Sequence, residues 1–106
     1  MADFLGMMKQ AMQLQTKMKA LQEELAQLEV TGTAAGGMVN ITMTAKMEVK
    51  ALKIDPSLIK AEEREILEDL IVAALNDARR KAETAMQEKM SALTGGLPLP
   101  PGLGLS

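Results

Sequence analysis

Cysteine and histidine do not occur in this sequence. Without cysteine there is no disulfide framework and no thiolate metal site. Without histidine, the commonest metal ligand and the commonest general base are both missing. Tryptophan and tyrosine are absent too, and Phe4 is the single aromatic residue. A reader of single-stranded nucleic acid stacks bases on aromatic rings, so that mode has no side chains to use here. No apolar run approaches the roughly 20 residues needed to cross a bilayer. The N-terminus, Met1-Ala2-Asp3-Phe4, lacks the basic-then-apolar layout of a signal peptide. The chain therefore reads as soluble and cytoplasmic, with no membrane partner.

What is present is one domain's worth of chain, 106 residues, with a small core to match. Ten methionines compensate in part for the missing rings, because a thioether side chain fills irregular apolar space. Three patterns follow along the chain. Phe4, Met7, Ala11, Leu14, Met18, Leu21, Leu25 and Leu28 recur in steps of three and four, a heptad seam among good helix formers. Such a helix is about 38 Å long, whereas a compact domain of this size has a radius of gyration of about 13 Å. It must project, and its seam needs a partner.

Val30 to Asp55 switches to a period of two. Met38 to Thr44 places Val39, Ile41 and Met43 on one face, and Lys50 to Ile54 places Leu52 and Ile54 on one face. Val30 to Ala34 is a weaker strand candidate. Gly32 to Gly37 reads as a turn, with Gly36 and Gly37 supplying positive φ. Asp55-Pro56-Ser57 ends the last strand, since proline cannot continue a ladder. From residue 62 to about 93 a second long helix is expected, with Glu62, Glu63 and Glu65 near its positive end. Its stripe is Ile71, Leu75, Ala78, Ala82, Met86, Met90 and Leu93, and its many alanines permit close helix approach. The expected fold is α+β, helix, three-stranded antiparallel sheet, helix (α-β-β-β-α). Residues 1–94 form the domain and 95–106 a Gly/Pro-rich tail.

Charge is segregated although the net charge is only -2. Lys9, Lys17 and Lys19 stand between Phe4 and Ala20 without an acid, while Glu23, Glu24 and Glu29 follow without a base. In the second helix the order reverses: acids crowd Lys60 to Asp77, then Arg79, Arg80, Lys81 and Lys89 outnumber Glu83 and Glu88. If the helices run alongside each other, both basic halves lie distal to the sheet. That zone carries seven cations against two acids, and local surplus sets the field that a polyanion meets. The plainer reading is a solvated face with i,i+4 pairs, Lys19 with Glu23 and Arg79 with Glu83.

Other chemistry finds no support. The glycine-rich segment is followed by no Lys-Ser or Lys-Thr, so it is no phosphate-binding loop. Glu65, Glu68 and Asp69 share a helix face, but solvation and the helix dipole account for them. No catalytic constellation, metal site, cofactor or small-molecule substrate is indicated. A metal-dependent enzyme built on the acidic run would respond to Mg²⁺ or Mn²⁺. A second class of function is a dimeric protein-interaction module, its Met-rich helix (Met7, Met8, Met12, Met18) gripping a partner helix.

Three stretches resemble one family in order and spacing: "MKQAMQLQTKMKALQEELAQLEVTG" (Met8 to Gly32), "IDPSLI" (Ile54 to Ile59) and "LEDLIVAALNDARRKAE" (Leu67 to Glu83). With "PPGL" (Pro100 to Leu103), they resemble the YbaB/EbfC nucleoid-associated proteins over almost the whole chain. The resemblance implies a homodimer with long helices projecting like tweezers. It implies sequence-tolerant binding of double-stranded DNA, with effects on nucleoid organisation and gene regulation, and no enzyme activity or cofactor. Electrostatics then nominates Lys9, Lys17, Lys19, Arg79, Arg80, Lys81 and Lys89 for phosphates, with Lys46, Lys50 and Lys53 as a weaker second patch. Met7, Ala11, Leu14, Met18, Leu21, Leu25, Leu28, Val39 and Ile41 are nominated for dimer or helix packing.

Overall fold

The computed structural model describes residues 3–93. Helix α1 spans Phe4–Gln27, strands β1, β2 and β3 span Glu29–Ala34, Val39–Thr44 and Val49–Ile54, and helix α2 spans Arg64–Leu93. One-turn 3-10 helices occupy Ala35–Gly37, Pro56–Leu58 and Ala61–Glu63. This is the expected α-β-β-β-α order. The nominated tail, 95–106, lies outside the described residues.

The strands form one antiparallel sheet in the order β1-β2-β3. Period-two alternation puts Val39, Ile41 and Met43 on the buried face of β2. Register pairs Val39 with Ile54 and Ile41 with Leu52, so the apolar residues of β3 share that face. The weak first strand is real, and Gly32 to Ala34 belong to it. The turn after it is shorter than expected, with positive φ at Ala35 as well as at Gly36 and Gly37. Asp55 ends β3 as its proline predicts: its carboxylate accepts from the Ser57 N–H at 2.9 Å, with Pro56 opening the next turn.

Gly32 stays in the strand because α2 crosses directly above it. A Cβ built there would fall on the Ala78 backbone nitrogen and the Ala74 carbonyl oxygen. The facing residues of α2 are Ala74, Ala78 and Ala82, all fully buried. A side chain at either surface would hold the helix a layer further out. Small residues on both let backbone approach backbone, and α2 then covers Val39, Ile41 and Met43 with its remaining apolar stripe.

A second cluster joins the helices. Leu21 and Leu25 are buried with Ala45, and Met18, Leu28, Ala85, Met86, Met90 and Leu93 pack around them. The Ala45 N–H donates to the Leu28 carbonyl at 2.9 Å, fastening the base of α1 to the β2–β3 turn. The lower half of the heptad seam is therefore taken up by α2 of the same chain. The upper half is not: Met7 and Leu14 are exposed, as is Ala11. Val39 and Ile41, nominated with the seam, are interior residues beneath α2 of their own chain. The described molecule is correspondingly long, 73 × 25 × 16 Å, with a radius of gyration of 19.5 Å against the roughly 13 Å of a compact fold.

If the Gly32 crossing fixes α2, Gly32→Ala will destabilise the fold, by about 1–3 kcal/mol or more as an overpacked contact between unyielding backbones. Thermal unfolding followed by circular dichroism measures it. A midpoint equal to or above the parent's would contradict the close approach.

Candidate nucleic-acid interface

The direction of α2 decides where the basic residues go. Asp77 meets Thr33 and Lys81 meets Thr31, so α2 runs antiparallel to β1, with its C-terminal end toward α1. Its first, acidic turns consequently lie at the end of the sheet away from α1. Lys17, Leu21 and Glu24 share a shallow groove with Lys89, Ala92 and Leu93, which places the end of α2 beside the middle of α1. Among the described residues no other element runs beside the first half of α1. Acids thus gather at one end of the long axis, and the acid-free stretch with Lys9, Lys17 and Lys19 extends from the other.

This corrects the expectation that both basic halves are distal. Arg79, Arg80 and Lys81 sit over the sheet because Ala74 to Ala82 is the segment that covers it. Within NDARRKAE, two side chains serve the free edge of β1. The Thr33 N–H donates to Asp77 Oδ2 at 2.9 Å, and Lys81 Nζ donates to the Thr31 carbonyl at 2.9 Å. Asp77 and Lys81 are one helical turn apart and pair with each other at 3.0 Å. Together they occupy edge groups that would otherwise be open to another strand. Arg80 lies outside this clasp and pairs with Asp77 Oδ1 at 3.3 Å.

The seven nominated cations therefore fall into two groups. Arg80, Lys81 and Lys89 each hold a carboxylate of their own chain, Lys89 through Glu24 on α1 at 3.2 Å. Lys9, Lys17, Lys19 and Arg79 hold none among the described residues. Neither i,i+4 pair expected from spacing, Lys19 with Glu23 or Arg79 with Glu83, is among the ion pairs. In the weaker patch Lys50 pairs with Glu48 at 3.1 Å. Among the described residues no group of three or more metal-ligating side chains converges. Glu68 of the acidic run lies 3.8 Å from Arg64. No described helix is long and apolar enough to cross a membrane.

The clasp has a pH signature. The Thr33 N–H holds the Asp77 carboxyl below its ordinary 3.8, aided by the hydrogen bond from Lys81 and by the charges of Lys81 and Arg80; partial desolvation opposes them. A carboxylate depressed on folding contributes stability above its unfolded value and loses it as pH falls through the folded one. Asp77→Asn should therefore be less stable than the parent at pH 7, and the gap should narrow below pH 3.8. Urea midpoints at pH 7, 4 and 3 measure this, and a gap independent of pH would show that the charge of Asp77 contributes nothing.

Comparison with known proteins fits this architecture. A family model, the YbaB/EbfC DNA-binding family, matches residues 1–97. A nucleoid-associated protein of Nitrobacter hamburgensis is 75% identical over 105 residues, covering 99% of each chain. One of Nitrobacter winogradskyi is 74% identical over 106 residues, covering all of both. The crystal structure of an uncharacterised Helicobacter pylori protein superposes with a TM-score of 0.77 at 25% identity, covering 88% of this chain and 98% of that one. Matched along nearly its whole length in sequence and in fold, this chain belongs to the YbaB/EbfC DNA-binding family.

Proposed function

We propose that the protein is a cytoplasmic, nucleoid-associated homodimer that binds duplex DNA mainly through phosphates, and so alters DNA conformation, nucleoid organisation and gene expression. Family membership supplies the DNA. The observation that carries the rest is the uncovered upper half of α1, which presents Lys9 and Lys17, with Lys19 below, and no acid between Phe4 and Ala20. Phosphate contacts position a protein without reading sequence. The acidic turns at the far end of the molecule repel the backbone and favour approach through α1. Arg79 and Arg80 form a second, weaker contact region over the sheet. Lys81 and Lys89 contribute field more than contact, since each is held by its own chain.

The dimer has a surface to use. Helix α2 covers β1 and β2 but leaves Val49 and Leu52 of β3 exposed on the same face, and Val72 and Leu75 of α2 are exposed as well. These apolar residues lie on β3 and α2, away from the lysines of α1. Leu52→Lys with Leu75→Lys should shift the protein to monomer in sedimentation equilibrium while leaving its helix content intact. An unchanged dimer would move the contact elsewhere.

Titration of a labelled, mixed-sequence duplex at several salt concentrations tests the DNA reading. Each phosphate neutralised adds about 0.9 to the slope of log affinity on log salt. Replacing Lys9, Lys17 and Lys19 by alanine should lower that slope by several units per dimer, Arg79 and Arg80 by less, and Lys81 by least. An unchanged slope in the α1 variant would contradict the assignment. The second reading, a protein-interaction module, draws on exposed Met7, Met8 and Met12. It predicts partner binding with little salt dependence and no affinity for DNA.

A further inference from the structure

The upper half of α1 carries more apolar surface than a heptad seam requires. The exposed seam members there are Met7, Ala11 and Leu14. A second row, Leu5, Met8 and Met12, is displaced about a third of a turn round the helix, with Phe4 between the two. Phe4, Leu5 and Met12 are 69%, 71% and 63% exposed, and Met8 is half-exposed at 48%. On the helical wheel the apolar arc spans about 180°, with Lys9 beyond one edge and Lys17 beyond the other.

The charges say what this face does not pair with. A second copy of the same segment offers these lysines no complement, since neither copy has an acid between Phe4 and Ala20. A polyanion with an apolar floor between two charged rims complements it, and duplex DNA is such a surface. Width selects the groove. A helix with its side chains is about 10–12 Å across, which matches a major groove about 12 Å wide and exceeds a minor groove of about 6 Å. The apolar group on the floor of the major groove is the thymine C5-methyl.

Resting on the DNA reading above, we infer that the upper half of α1 lays its whole apolar arc in the major groove, with Leu5, Met8 and Met12, joined by Phe4, covering thymine methyls while Lys9 and Lys17, beyond the two edges of that arc, extend back to phosphates. The contact confers a mild preference for thymine-rich duplex without hydrogen-bond readout. Covering one methyl is worth about fourfold in affinity.

The test compares two duplexes of one sequence, one containing thymine and one uracil, which lacks only that methyl. The full-length parent should bind the uracil duplex at least about fourfold more weakly, with the same salt slope. The variant Leu5→Ala, Met8→Ala, Met12→Ala should bind both duplexes alike, again with the parental slope. Its substitutions are exposed and alanine favours helix, so its circular dichroism should match the parent's. A parent that binds both duplexes equally, or a variant that still discriminates, overturns the inference and leaves the phosphate-binding reading intact. Failure to bind either duplex at low salt overturns both. Parental binding to phosphatidylglycerol vesicles that the variant loses, with equal affinity for the two duplexes, assigns the face to a lipid surface and overturns the inference.

Discussion

The backbone contact between β1 and α2 at Gly32 sets the rest of this structure in place. Helix and strand lie so close there that the strand has no room even for a methyl at Gly32, and the helix carries no more than a methyl at Ala74 and Ala78. The alanines of α2 keep that distance along the whole crossing, and from it follow both the direction of α2 and the burial of Val39, Ile41 and Met43. Because α2 runs antiparallel to β1, its last turns pass beyond the sheet and meet the lower half of α1. There Leu21 and Leu25 find their cover, and there the cover stops. Among the described residues nothing packs on the upper half of α1, because the described part of α2 reaches only to Leu93, beside Lys17.

The same crossing sorts the charges. Asp77 and Lys81 point along the free edge of β1 and are occupied by its backbone groups. The basic run is thus neither a uniform solvated face nor a uniform DNA surface. Asp77 and Lys81 guard a strand edge, Arg80 leans on Asp77, and Arg79 remains open. The field that a polyanion meets is set mainly by position along the long axis, with the acid-free stretch Phe4 to Ala20 at one end and Glu62 to Asp69 at the other.

Much of this was legible in the residues. The heptad steps gave α1, the alternation in Val39 to Met43 gave the central strand, and Asp55-Pro56 gave the end of the sheet. The family was recognisable from three spaced stretches. What the residues concealed was tertiary. Periodicity gives a helix its faces but not its direction over a sheet, so Arg79 to Lys81 were expected at a distal end and lie over β1. The i,i+4 spacing of Asp77 and Lys81 was visible, but nothing local says that both reach a backbone 44 and 50 residues away. Gly32 looked like part of a turn because glycine in a strand has no local signal for a helix crossing above it. The row Leu5, Met8, Met12 was hidden beside a stronger seam.

The central claim is that the uncovered half of α1, more than the basic run on α2, meets the ligand. Hydrogen exchange read by mass spectrometry, with and without a mixed-sequence duplex at low salt, tests it most directly. The account predicts new protection in peptides spanning residues 4–20, with little change in those spanning 77–82, whose backbone is already held against β1. Protection gained across 77–89 with α1 unchanged would contradict it.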